Sequence, residues 1–351
     1  PRTVVRSSEE LITRTSLRSD LTLRQRFQSV KPPDLSTRFQ KPVLAGLFAV
    51  CARSGGMSRA REEADALADA AEVEPAEAFG VVASETRLDI LEALWRADER
   101  PVSFSGLHDA VSIRDSAQFN YHLQQLTGQF VRKTDDGYDL RHAGEGVVRA
   151  VRAGTFTRSP DVEPFAVEGA CTRCGGGLEA RYADEKLRID CVDCGKSHGE
   201  YEFPPGGLVD RTDEQIARAF DERVRHLHCL AADGVCPACA GRMHTEILRG
   251  GDCCLDVSLR AEHVCERCRN EFCSPVGLVL LDEARVTAFY DDHGVDISER
   301  PYWTLPWCVD DEYTTVRSAD PWRVAVDLQA GDDRLTVVLD GDLSVVDTEP
   351  A

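Results

Sequence analysis

Apolar residues recur at three- and four-residue spacing in some stretches of this chain and at two-residue spacing in others. In FGVVASETRLDILEALW (79–95), Leu88, Leu91 and Trp95, with Ile90 and Leu94, make one helical stripe, and Ser84 stands where an N-cap belongs. VSFSGLHDAV (102–111) predicts a short second helix capped by Ser105. After a turn through Ser112–Asp115, DSAQFNYHLQQL (115–126) predicts a third helix, capped by Asp115 or Ser116, with Phe119, Leu123 and Leu126 inward. Winding by about 100° per residue then places Gln118, Asn120, Tyr121, Gln124 and Gln125 on the outward arc. VRKTDDGYDLR (131–141) reads as two short strands around Asp135-Asp136-Gly137, and His142–Arg152 as a closing helix. Near the other end, a helix (EARVTAFYDDHG) and PYWTLPW precede a three-stranded meander. WRVAVDLQ (322–329) puts Trp322, Val324, Val326 and Leu328 on one face; DRLTVVL and LSVV follow, joined at Asp340-Gly341.

Between these regions the cysteines dominate. Eight of the 14 form four C-x-x-C pairs. Cys171 and Cys174 face Cys191 and Cys194 across LEARYA and KLRID, which alternate like two strands joined at Asp184-Glu185. Gly175 and Gly195 follow their pairs and let backbone amides turn toward the sulfurs. Cys236 and Cys239 with Cys265 and Cys268 repeat the arrangement around a longer insert, where Cys273, Cys253, Cys254 or His263 could replace one ligand. Four thiolates in this pattern make a closed structural zinc site, so two zinc ions per chain are expected. After each ribbon an extended, Pro-containing stretch leads into a helix, as an internal duplication would give. Cys51, Cys229 and Cys308 look like small buried apolar residues, and Cys253-Cys254 as well.

The expected fold class is α+β and multidomain: a winged helix-turn-helix, two four-cysteine zinc ribbons and a small α/β C-terminal module. The expected units are a basic extension (1–56), an acidic helical lead-in (57–74), the winged helix (75–154), ribbon one (165–205), a linker helix (206–230), ribbon two (231–278) and the tail (279–351).

Charge changes this picture in two ways. The chain carries 61 Asp+Glu against 41 Lys+Arg, a net of −20, and only 5 of the basic residues are Lys. Acidic, Lys-poor composition is expected where cytosolic salt is very high, and there the Debye length shrinks to a few ångströms. Acidity then does not veto contact with DNA, although affinity for phosphate rests on cations. Residues 1–56 are basic, with 10 basic and 4 acidic residues, and Met57 is the first methionine; the segment reads as a basic arm or as sequence upstream of a natural start. VLAGLFAVCA (43–52) is too short to span a bilayer, and a soluble cytoplasmic protein without membrane partners is expected.

SETRLDILEAL, FNYHLQQL and VRKTDDGYDLRHAGEGV together resemble the ArsR-like winged-helix transcriptional regulators in the form common in haloarchaea. The resemblance covers about 75–154. It implies a homodimer on double-stranded DNA, with Asn120, Tyr121, Gln124 and Gln125 reading base edges or phosphate, Gln118 beside them, and Arg132 and Lys133 of the wing on the backbone. FSGLHDAV (104–111) lacks the cysteines of the metal-sensing members, so arsenic- or cadmium-type sensing is not implied. The other function left open is a protein-interaction adaptor of the transcription machinery. No catalysis is expected: Gly195-Lys196-Ser197 lacks the upstream glycine of a phosphate-binding loop, HAGE and CPAC miss the spacing of zinc deaminases, and no H-E-x-x-H or G-x-S-x-G occurs.

Overall fold

The computed structural model describes residues 73–250, 255 and 257–350. The basic extension, most of the acidic lead-in, Cys51, Cys253 and Cys254 lie outside them. The described chain is mixed α+β, with four antiparallel sheets, two large hydrophobic cores and a third small cluster of Ala231, Cys236, Met243 and Cys265.

The first core belongs to helices α1 (Pro75–Val82), α2 (Glu85–Arg96), α3 (Phe104–Ala110), α4 (Ser116–Leu126) and α5 (His142–Ala153), with the hairpin β1 (Val131–Lys133) and β2 (Tyr138–Leu140) between α4 and α5. Phe119, Leu123 and Leu126 of α4 are wholly buried against Ile90, Leu91 and Leu94 of α2. Leu88 and Trp95, expected within the α2 stripe, lie at its margins and are only half-buried, Trp95 under the Arg149 guanidinium. The α3 cap also differs from expectation. Ser103, not Ser105, holds the extended N-cap conformation and accepts the Gly106 N–H at 3.1 Å. Asp115 caps α4 through the N–H groups of Ala117 and Gln118. Residue 84 is the N-cap of α2, but its hydroxyl makes no cap hydrogen bond. The hairpin pairs Val131 with Leu140 and Lys133 with Tyr138, and Tyr138 exchanges backbone hydrogen bonds with Val102 on its other side. Position 137 must be glycine: φ is +151° and a Cβ would collide with the Val102 carbonyl.

The second core runs from Phe165 to Leu343. Strands β3 (Phe165–Ala170), β4 (Gly177–Ala183), β5 (Lys186–Cys191) and β6 (Ser197–Glu202) form one meander. Helix α6 (Asp213–Ala232) follows, opened by a capping box between Thr212 and Gln215. Then come β7 (Met243–Arg249), β8 (Leu259–Cys265) and β9 (Glu271–Pro275), helix α7 (Ala284–Asp292), the helical turn α8 (Pro306–Val309) and the last sheet. That sheet has four strands rather than three: β10 (Thr314–Ala319), β11 (Trp322–Ala330), β12 (Asp333–Leu339) and β13 (Val345–Pro350).

At the second cysteine cluster, Cys236, Met243 and Cys265 pack with Ala231 in a small cluster of their own. The β3–β6 sheet, much of the β7–β9 sheet and the tail, expected as separate modules, share the larger core. The helix read as a linker is its spine: Ile216, Phe220, Val224 and His228 are buried, and α6 packs on β3, β7 and the 276–280 turn. Its buried Asp221 pairs with Arg225 at 2.8 Å and accepts the Tyr302 N–H at 2.6 Å, so these two satisfy one another, whereas both ring nitrogens of the buried His228 lack a hydrogen-bond partner. Trp303, just beyond, donates its indole N–H to the Glu168 carbonyl and ties the tail to β3. Among the described residues, no helix is long and apolar enough to cross a membrane.

Candidate functional site

Two hairpin turns at the same end of the first meander, between β3 and β4 and between β5 and β6, bring Cys171, Cys174, Cys191 and Cys194 together. The turn before β7 and the turn between β8 and β9 do the same for Cys236, Cys239, Cys265 and Cys268. All eight are free thiols; in each pair the first is buried and the second exposed. The Sγ atoms of Cys171 and Cys194 are 3.6 Å apart, of Cys174 and Cys191 3.5 Å, of Cys236 and Cys268 3.7 Å, and of Cys239 and Cys265 3.6 Å. A tetrahedral ion with metal–sulfur bonds of about 2.3 Å sets its ligands about 3.8 Å apart, so each cluster fits one ion with no position left open.

The four turns are built alike. In each, the first cysteine's N–H reaches a carbonyl five residues on, and its own carbonyl accepts the N–H four residues on (Gly175, Gly195, Ala240 and Arg269). That fourth residue has positive φ in every case: +75° and +71° at the two glycines, +56° at Ala240 and +62° at Arg269. The same bend aims amides at the sulfurs. The N–H groups of Cys194 and Asp193 hold the Cys191 thiol down to about 7 against its burial. Those of Cys268 and Arg267 hold Cys265 down to about 6. These two favour the thiolate that a metal needs. Against the Gly176 and Asn270 N–H groups, hydrogen bonds with neighbouring thiols push Cys174 and Cys268 up to about 12, so an ion would displace protons from each cluster. Of the alternative ligands, Cys273 lies opposite Glu262 in the sheet and His263 is bonded through Nδ1 to Thr245; neither joins the cluster.

On α4, the face opposite the buried stripe carries Gln118, Asn120, Tyr121, Gln124 and Gln125, all exposed. Among the described residues the four amide side chains make no hydrogen bond within the chain, so their donors and acceptors face outward unengaged. The hairpin carries the two cations expected on the wing. Arg132 is exposed but its guanidinium sits 2.6 Å from Asp139 across the strands, with Arg100 at 3.7 Å on the other carboxylate oxygen. Burial would raise the Asp139 carboxyl, yet Arg132, the Leu140 N–H and Arg100 hold it below its usual value. Lys133 is exposed, 6.0 Å above the Tyr138 ring.

Sequence reasoning missed a buried polar group beside the first cluster. Lys196, whose carbonyl closes the second turn, has a fully buried side chain whose ammonium lies 2.8 Å from Asp310. The approach is off the hydrogen-bond axis, so the link is Coulombic. His198 is buried next to it, both ring nitrogens without a hydrogen-bond partner; burial, with the Lys196 charge, lowers its pKa to about 4. No signal in the sequence marks Asp310 as the partner.

Comparison with known families divides the chain where its cores divide. Residues 75–151 match the family described as Domain of unknown function (DUF7347), and residues 168–345 match Domain of unknown function (DUF7351). No curated protein and no solved structure matches the chain. The second match takes in just over half of the 351 residues, and the protein belongs to the DUF7351 family.

Proposed function

We propose that the protein is a DNA-binding transcriptional regulator: residues 75–154 act as an ArsR-like winged helix-turn-helix, α4 enters the major groove, and the β1–β2 hairpin is the wing on the phosphate backbone. The observation that carries this reading is the row of unengaged amides on α4, backed by a stripe that is wholly buried. Amide side chains pair bidentately with adenine edges, and a helix held rigidly from behind presents them without loss of order. The order of elements, four helices, a hairpin and a closing helix, supports it. The protein acts as a homodimer on a pseudo-palindrome, its two recognition helices about 34 Å apart. Zinc is the metal in both clusters, since four thiolates around a closed tetrahedron select it over harder cations. Its role is structural.

The test is a gel shift at high KCl on an operator selected from random duplexes. Asn120→Ala and Gln124→Ala should each weaken binding by about 1–3 kcal/mol, roughly 5- to 150-fold, without moving the melting temperature. Unchanged affinity in both variants would remove the assignment of α4.

One observation favours a second reading, an adaptor docking on proteins of the transcription machinery. With Arg132 engaged by Asp139, Lys133 is the cation of the two wing strands left to meet phosphate. A chain that binds no duplex but retains a transcription protein at the same salt would fit the adaptor instead.

A further inference from the structure

The turn leaving α5 and the loop entering α6 meet in a hollow of about 570 Å³ lined by Arg152, Arg158, Gly206, Val209, Asp210 and Arg211. Its floor is fixed by close backbone approach. Gly154 ends α5 at φ +79°, where a Cβ would come within 2.9 Å of Arg158 Cδ and 3.2 Å of Pro205. A Cβ on Gly206 would lie 3.1 Å from the carbonyl oxygens of both Arg152 and Ala153. Arg211 donates to the Gly207 carbonyl at 2.8 Å, which orients its guanidinium.

The charge of this hollow is out of character for the chain. Net charge is −20, and Arg96, Arg149 and Arg225 each sit on a carboxylate one helical turn away. Arg152, Arg158 and Arg211 are all exposed, among the described residues none of them is in an ion pair, and Asp210 is the one carboxylate among the lining residues. Three like charges thus line one surface hollow, at a seam where Gly154 and Gly206 allow close approach. Phe156, on the turn between Arg152 and Arg158, is 81% exposed.

We propose that this hollow binds phosphoryl groups. Guanidinium forks match the oxygens of a phosphate or phosphodiester bidentately, and three of them supply the charge such a group needs. One source is the backbone of the DNA that α4 reads, and that source rests on the proposed function. Helix α5 starts two residues after the wing and runs 12 residues, a length of about 18 Å. That is about five base-pair steps of duplex, so a DNA segment running along α5 from the wing would span the distance to the hollow. The other source is a free phosphorylated molecule.

The experiment compares the full, zinc-loaded chain with the Arg152→Gln/Arg158→Gln/Arg211→Gln variant, melting temperature serving as the folding control. Both are titrated with a random-sequence duplex over a range of KCl, and separately with inorganic pyrophosphate by calorimetry. If the source is DNA, the variant's slope of log K against log[KCl] is shallower by about 2–3, since each phosphate contact contributes about 0.9; Asn120→Ala leaves that slope unchanged. If the source is a free molecule, pyrophosphate binds the parent chain and not the variant, while duplex affinity is the same in both. Should the parent bind no duplex, the regulator reading fails and the pyrophosphate titration alone decides the hollow. A variant indistinguishable from the parent in both titrations overturns the proposal.

Discussion

Replacing Asp310 should cost more than replacing Lys196, although the two side chains form one pair. The Lys196 side chain is 0% exposed and that of Asp310 13%, their charged atoms 2.8 Å apart. Asp310→Asn therefore leaves an ammonium with neither water nor a counter-charge. Breaking a buried pair this way costs about 3–5 kcal/mol. Lys196→Met leaves a carboxylate that still touches solvent and fills the lysine channel with apolar volume, so about 2 kcal/mol is expected. The double variant removes both charges and should lie within about 1–2 kcal/mol of the parent, because a buried pair contributes little net stability over its apolar replacement. The cycle then gives a coupling of about 3 kcal/mol or more. Denaturant unfolding with zinc saturating, at low and high KCl, measures all four proteins; burial should make the coupling insensitive to salt. Equal single-variant losses, or additivity within about 0.5 kcal/mol, would refute the description of this pair as buried and mutually dependent.

Three further outcomes follow from the geometry. In the cysteine turns, Ala240→Gly should be neutral or stabilise by up to about 1 kcal/mol, and Gly195→Ala should destabilise by about 1 kcal/mol, because the left-handed conformation costs any L-residue about 1–2 kcal/mol; thermal melts check both signs, and a loss in Ala240→Gly would contradict the φ of +56° found there. Burial, with the Lys196 charge, lowers the folded pKa of His198 to about 4, and burial with His263 lowers that of His228. The unfolded chain then takes up protons first as pH drops below about 6.5. Stability is full above that value and falls toward pH 4; His198→Gln should flatten denaturant midpoints between about pH 7 and pH 5, and an unchanged slope would count against neutral burial of that ring. Metal removal by a chelator withdraws on the order of 10 kcal/mol per site, more than a domain's whole stability can spare. The 165–343 core should therefore open while the 90–148 core, separate from both clusters, keeps its amide protection in hydrogen exchange. Loss of both cores together would show them to be coupled.

What the sequence disclosed, and what it hid, depended on whether the signal was local. Helix α4 was legible because Asp115 and the Phe119–Leu123–Leu126 spacing sit within one short window. The four turns were legible because thiol spacing is itself the geometry; the same eight cysteines lie in the two clusters. Ser103 and Ser105 present the same chemistry to a cap, and only the backbone angles separate them. Strand β10 escaped notice because its side chains alternate between half-buried and exposed and only Val316 packs on the core, so no apolar period stands out. Helix α6 read as a linker because Asp221, Arg225 and His228 interrupt its stripe, and pairing of Asp221 with Arg225 is a tertiary fact. The Lys196–Asp310 contact joins distant stretches of chain through charges that look like ordinary surface residues.

The proposed regulator role requires that α4 read base sequence. The most direct measurement is the ratio of affinities for a selected operator and a scrambled duplex at high KCl, in the parent chain and in the Asn120→Ala/Gln124→Ala variant. The parent should prefer its operator by about 10³-fold or more. The variant should lose roughly 30-fold or more of that preference while holding scrambled DNA as before. A parent that binds both duplexes equally, or a variant that keeps the full ratio, would contradict it.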